Sequence, residues 1–237
     1  MTKINYKNNN LHMNDIIMIP PVCPRKQCPN LRSLKSHMSN ADINNLSNLR
    51  ELSLSGDISR MIIHSTDFTT LPNLRVLELK DILWFITPDK YKTITTQLRK
   101  FVLWQSYRFG ERSGINIDEE NSLSRFTELR ELHIQKYPLW NTLHMPKLKI
   151  FIIKNTCGFL TRVFNELQNL EYLHIENSEH RYDGGKTKFP HFPRLKKLYL
   201  INCDVDRSIL DANPHIEDLV ISGCKNLNLD LNNTEND

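Results

Sequence analysis

Nine times along the 237 residues an aliphatic or aromatic residue recurs in the frame L-x-x-L-x-L, most clearly as Leu49-Arg50-Glu51-Leu52-Ser53-Leu54, Leu74-Arg75-Val76-Leu77-Glu78-Leu79 and Leu195-Lys196-Lys197-Leu198-Tyr199-Leu200. The other copies start at Leu31, Leu98, Leu129, Leu148, Leu170 and Ile216, and the first is degenerate because Ser36 stands where its third aliphatic belongs. Self-similarity repeated along the chain predicts stacked units that bury one continuous core between them. Copies begin 18 to 31 residues apart, counted from Leu31 to Leu49 and from Leu98 to Leu129, so the array is irregular.

Within each copy the second and third aliphatic residues alternate with variable ones, which is the period of two of a strand that buries one face. Three residues before most copies stands a further apolar anchor, commonly followed by proline: Cys28-Pro29-Asn30-Leu31, Leu71-Pro72-Asn73-Leu74, Met145-Pro146-Lys147-Leu148 and Phe192-Pro193-Arg194-Leu195. Proline cannot donate to a sheet ladder and suits the bend that enters each strand.

These residues resemble the leucine-rich repeat family, whose unit is L-x-x-L-x-L-x-x-(N/C)-x-L, over the span from Cys28 to Leu227. The resemblance implies an α/β fold: a right-handed solenoid with a parallel sheet on its concave side and short helices, 3₁₀ turns or irregular loops outside. It also implies a protein that binds other macromolecules on a curved surface. Leu71 to Asp81 and Leu219 to Leu227 are phrased like the repeats of plant intracellular immune receptors, and also resemble cytosolic repeat proteins of amoebae and giant viruses. The nucleotide-binding domain of those receptors is missing here, so their signalling activity does not carry over. The family's asparagine position is filled by Asp57, Ile82, Ser106, Tyr137, Thr156, Ser178, Cys203 and Cys224. Cys203 and Cys224 resemble the cysteine-containing subtype of some ubiquitin-ligase adaptors, while the other positions depart from it.

A stack of repeats makes one elongated domain over 31–227, with 1–30 as an N-terminal arm or cap and 228–237 as a polar tail. Leu227, Leu229 and Leu231 alternate and suit a cover for the last repeat. With 39% hydrophobic and 24% charged residues the composition is that of a folding chain. The apolar run from Ile16 to Val22 is broken by Pro20 and Pro21 and is too short to span a bilayer. It also lacks the sustained apolar core of a signal peptide. Five cysteines leave at least one unpaired, which favours a reducing compartment, so a cytoplasmic protein without membrane attachment is expected.

On the concave side the implied outward residues of the central and C-terminal repeats are Val102, Trp104, His133, Ile150, Ile152, Tyr172, His174, Tyr199 and Ile201. Parallel strands lie about 4.8 Å apart, so these side chains would merge into an apolar, aromatic patch of the kind that marks interaction sites. The plainer alternative is that loops fold over them. A second column, directly after the first aliphatic, is cationic: Arg32, Arg50, Arg75, Arg99, Arg130 and Lys149, followed by Glu171, Lys196 and Glu217. Local pairing with Glu51, Glu78 and Glu131 is the bland account of it. An electropositive strip that steers an acidic protein or a phosphate backbone is the sharper one.

Chemistry has little to stand on. Cys23, Cys28 and His37 offer zinc ligands, but a fourth is not evident, and Cys28 occupies the anchor position that Leu71 fills later. Cys157 beside Gly158 invites a nucleophile, with His144 or His174 as base, yet more simply lies in the turn that leaves its strand. No H-E-x-x-H pair and no phosphate-binding G-x-x-x-x-G-K-(S/T) loop is present. The expectation is a non-enzymatic scaffold without cofactor or metal that binds a protein partner on its concave face. A substrate-recognition subunit of a ubiquitin ligase is the alternative, and nucleic acid along the basic column a weaker one.

Overall fold

The computed structural model describes residues 30–37, 46–56, 62–64, 70–85, 97–106, 123, 126–137, 139, 142–156, 158–179, 188–225 and 227. Each of the nine repeat copies supplies one five-residue strand to a single parallel sheet. In chain order the strands are β1 (Ser33–His37), β2 (Glu51–Ser55), β4 (Val76–Lys80), β6 (Lys100–Trp104), β7 (Glu131–Gln135), β8 (Ile150–Lys154), β9 (Tyr172–Glu176), β10 (Lys197–Ile201) and β11 (Asp218–Ser222). Every neighbour pairs in parallel without slip, for example Leu132 with Phe151, Phe151 with Leu173, Leu173 with Leu198, and Leu198 with Leu219. The result is a right-handed solenoid with this sheet on its concave side.

Alternation decides which side chains enter the core. Leu52, Leu54, Leu77, Leu79, Phe101, Leu103, Leu132, Ile134, Phe151, Ile153, Leu173, Ile175, Leu198 and Leu200 are all buried, and each fully buried aliphatic contributes roughly 1.5–3 kcal/mol. The degenerate first copy keeps the pattern, because Ser36 is buried in the place of a leucine and its hydroxyl donates to the His37 carbonyl.

Ahead of six of the strands an apolar anchor closes a tight turn. Leu74 N–H donates to Leu71 O at 3.1 Å, and the same contact joins Leu49 to Leu46, Leu129 to Phe126, Leu148 to Met145, Leu170 to Leu167 and Leu195 to Phe192. Pro72, Pro146 and Pro193 therefore stand at the second turn position, where a fixed φ is favourable and no donor is needed. The next residue links turns: Asn73 Nδ2 donates to Ser47 O at 2.9 Å, and Asn169 Nδ2 to Pro146 O at 2.6 Å.

The chain leaves the strands through left-handed backbone. Asp81, Lys136, Asn155, Asn177 and Asn202 have φ between 47° and 62°, and Gly223 has φ of 68°. Asparagine, aspartate and glycine tolerate this conformation best. The following residue then turns inward, as Ile82, Tyr137, Thr156, Ser178 and Cys203 do. The fourth repeat departs from the sequence expectation: Gln105, not Ser106, is the fully buried residue there. Its amide donates to Ile82 O at 3.0 Å and contacts the Tyr137 hydroxyl, so a polar knot replaces an asparagine ladder.

Two return segments carry strands where helices, 3₁₀ turns or irregular loops were expected: β3 (Ile62–His64) and β5 (Leu83–Phe85) pair in parallel as a separate sheet. Farther along, the returns fit that expectation, with a 3₁₀ turn at Thr161–Phe164 and a one-turn helix at Ser208–Asp211. Phenylalanines fill the space between returns and sheet. Phe164 lies 5.9 Å from Phe151, 5.9 Å from Phe159, 5.6 Å from Phe189 and 6.1 Å from Phe192, measured between ring centroids.

The last strand has a neighbour on one side only, and Leu219, paired with buried Leu198, is 46% exposed. Leu227 is buried. Leu229 and Leu231, the 1–29 part of the arm, and Cys23, Cys28 and Asp57 lie outside the described residues.

Candidate functional site

The sheet face opposite the leucines carries three columns of side chains, one for each outward position of a strand. The central column runs Lys35, Ser53, Glu78, Val102, His133, Ile152, His174, Tyr199 and Val220. Its middle is apolar or aromatic because those strands read Lys100-Phe101-Val102, Glu131-Leu132-His133, Ile150-Phe151-Ile152 and Tyr172-Leu173-His174. The first column sets Ile150 beside Tyr172. In the third column Trp104 and Ile201 are separated by Gln135, Lys154 and Glu176.

All nine residues expected on this face point to it, and all are half-buried. They do not form one uniform patch. The tightest part is the trio Tyr172, His174 and Tyr199, with ring centroids 5.3 Å apart for the two tyrosines and 5.8 Å for His174 and Tyr199. Tyr172 Oη lies 3.3 Å from His174 Nδ1, and the Tyr199 hydroxyl donates to Asp218 Oδ2 at 2.8 Å. The Asp218 carboxylate beside it holds the Tyr199 hydroxyl above its ordinary pKa, and burial does the same for Tyr172. Both phenols stay protonated at neutral pH.

Trp104 is more engaged than its sequence position suggests. Lys80 Nζ stands 3.8 Å from the centroid of its ring, a cation–π contact along the β4–β6 register. The indole Nε1 is buried without a hydrogen-bond partner among the described residues.

Charges border the apolar middle. Glu131 lies 3.0 Å from Lys100 Nζ and 2.7 Å from His133 Nε2, while Glu176 lies 2.6 Å from Lys154 Nζ and 3.0 Å from His174 Nε2. Neither histidine makes an aligned hydrogen bond through Nε2, so each contact is a charge neighbour rather than a made bond. Burial lowers the pKa of both imidazoles and outweighs the raising effect of the glutamates. Glu176 is itself held below the usual carboxylate range, chiefly by the Lys154 hydrogen bond. Around Ile152 the site thus sets two imidazoles, held neutral at neutral pH by burial, beside the carboxylates of Glu131 and Glu176.

The basic column lies on the lip that enters the strands, and its backbone is structural. Arg32 O accepts both Arg50 N–H at 2.7 Å and Glu51 N–H at 3.0 Å, and Arg50, Arg75, Arg99, Arg130, Lys149, Glu171 and Lys196 repeat the arrangement. Several side chains are engaged across repeats rather than with Glu51, Glu78 or Glu131. Arg99 pairs with Glu128, Lys149 with Glu171 at 2.6 Å, and Lys196 with Glu217 at 3.6 Å. Arg75 donates to Leu74 O at 2.9 Å and to Gln97 Oε1 at 3.3 Å. Lys147 and Arg99 together hold Glu128 below its ordinary pKa.

Sequence reasoning missed Val220, which extends the central column, and Asp218, which anchors Tyr199. Both were legible in the alternation of Asp218-Leu219-Val220-Ile221. Among the described residues no cluster of three or more histidine, cysteine or acidic side chains is arranged to hold a metal ion. Of the residues weighed for chemistry, Cys157 lies outside the described residues, and His144 is exposed and paired with Glu166.

Among solved structures similar to this chain is the crystal structure of human 5T4 (Wnt-activated inhibitory factor 1, trophoblast glycoprotein), with a TM-score of 0.53 at 18% identity over 84% of this chain and 78% of that one. The fold is a leucine-rich repeat solenoid. No family model matches the sequence, and no curated protein matches it. No described helix is long and apolar enough to cross a membrane.

Proposed function

We propose that the solenoid is a non-enzymatic binding module that takes a protein partner on the concave face of β6 to β11. One observation carries this reading: Ile150, Ile152, Tyr172, His174 and Tyr199 stand together on neighbouring strands, on a face whose other residues are mostly charged or polar. Tyrosine and buried aliphatic residues framed by ion pairs are the usual make-up of an interface core and its rim. A preformed sheet also binds with little ordering cost. The likeness of the repeats to those of intracellular immune receptors supports a role inside the cell.

A protein partner accounts for the face better than nucleic acid does, because Arg99, Lys149 and Lys196 of the basic column already have acidic partners. Recruitment to a ubiquitin ligase is one use of such a module, and ligase subunits among captured proteins would single it out. The test is cross-linking capture by the native chain and by a Trp104→Ala/Tyr199→Ala variant. Truncation at a binding centre costs about 2 kcal/mol or more, roughly a thirtyfold loss of affinity. Unchanged capture by the variant contradicts the reading. Capture that collapses with salt and with Arg75 or Arg99 replaced, but not with the aromatics, points to nucleic acid instead.

A further inference from the structure

We propose that Cys203 and Cys224 are a reversible disulfide site that fastens the last repeat of the solenoid to its neighbour. Strands β10 and β11 pair without slip up to Ile201 and Ser222, and each cysteine follows two residues later, after a left-handed residue, Asn202 or Gly223. The fold therefore brings the two thiols to equivalent positions one strand spacing apart. Their sulfurs are 3.3 Å from one another and are not bonded. In the preceding repeats this inward position holds Ile82, Tyr137, Thr156 and Ser178, so only the terminal pair of repeats stacks thiol on thiol.

The two sulfurs differ in access. Cys203 is buried, whereas Cys224 is half-exposed and donates to Leu200 O at 3.3 Å. Burial also pushes the Cys203 thiol well above its ordinary pKa. Cys224 is accordingly the entry point for a low-molecular-weight disulfide such as oxidised glutathione. The Cys224 thiol gives its proton to water, and the thiolate attacks one sulfur of that reagent, forming a mixed disulfide and releasing one glutathione thiolate, which takes up a proton from solvent. Cys203 then loses its proton to solvent and attacks the Cys224 sulfur, which breaks the mixed disulfide and releases the second glutathione. Two protein thiols are oxidised to one disulfide, and one glutathione disulfide is reduced to two thiols.

The bond acts where the solenoid is least supported. β11 has a single strand neighbour, and Leu219 in its core position is exposed. In a repeat stack the stability of an end unit rests on that one interface, and a cross-link across it restricts opening. β11 also supplies Asp218, which holds Tyr199, and Val220 to the concave face. Oxidation thereby stiffens the C-terminal end of that face.

The test uses the wild-type chain, so no variant has to fold. It is equilibrated with oxidised and with reduced glutathione, then mapped by mass spectrometry without reduction, alongside amide hydrogen exchange. The expected result is a Cys203–Cys224 linked peptide in the oxidised sample and exchange in 218–222 slowed about tenfold. The proposal is overturned if Cys224 carries glutathione while Cys203 still alkylates, if either is linked to Cys23, Cys28 or Cys157 instead, if both still alkylate, or if the link forms without slowing exchange.

Discussion

Tyr172 and Tyr199 stack with ring centroids 5.3 Å apart although they are not register partners: Tyr172 stands opposite Lys197, and Tyr199 opposite His174. The contact is diagonal across β9 and β10, a spacing that long aromatic side chains can bridge. Tyr199 is further fixed by its bond to Asp218, so three strands share one aromatic unit. A double-mutant cycle of Tyr172→Ala and Tyr199→Ala, read by urea unfolding, is expected to give a coupling of about 0.5–1.5 kcal/mol. Additive effects would mean that the rings do not support each other.

The interior offers a sharper stability prediction at Phe164, which is fully buried with four other phenylalanine rings around it. Truncation leaves a cavity that rigid neighbours cannot fill. Phe164→Ala is expected to lower stability by about 3–5 kcal/mol, while Phe164→Leu costs less. Equal losses for both would place the ring outside the packed core.

Backbone chirality makes a third prediction at the end of the array. A Cβ on Gly223 would sit 2.0 Å from Asn202 Oδ1, and the residue has φ of +68°. Gly223→Ala should therefore cost about 1–3 kcal/mol. Asn202→Gly, at φ of 48°, should be far milder, and combining the two should recover the steric part of the loss. A neutral Gly223→Ala would contradict the close approach of these two turns.

His133 and His174 set a pH dependence. Burial depresses both below the ordinary value of 6.5, so the unfolded chain binds more protons than the folded one just below that pH. Stability from these residues is full above about pH 6.5 and falls as pH drops through the lowered folded values. Glu128 and Glu176, also depressed, add their loss only below about pH 4.5. Replacing both histidines with glutamine should flatten the upper window and leave the acidic one, as followed by thermal unfolding across pH. A wild-type profile already flat between pH 7 and 5 would contradict the depressed values.

Much of this architecture was legible in the sequence. Leu52 and Leu54, Leu132 and Ile134, or Leu198 and Leu200 are spaced by two because they face one core, and the residues between them had to face outward. That logic located Ile152, His174 and Tyr199 without a structure. It failed where geometry depends on backbone chirality or on a partner distant in sequence. Asn155, Asn177 and Asn202 occupy left-handed positions one residue before the place where the family pattern puts asparagine. Gln105 is buried with its amide nitrogen donating to the Tyr137 hydroxyl, 32 residues away, and to the Ile82 carbonyl. The pairing of Arg99 with Glu128 is likewise a contact between repeats that no local spacing announces. The strands β3 and β5 went unread because Ile62-Ile63-His64 and Leu83-Trp84-Phe85 are short apolar runs without the repeat's frame.

The proposed binding face is tested most directly by site-specific photo-cross-linking, with a photoreactive residue placed at Ile152 or at Glu166, which lies on the return side beyond the 3₁₀ turn at Thr161–Phe164. The account predicts a discrete protein adduct from position 152 that disappears when Tyr172 and Tyr199 are replaced by alanine, and none from position 166. Adducts from position 166 alone, or equal adducts from both positions that survive loss of the tyrosines, would contradict it.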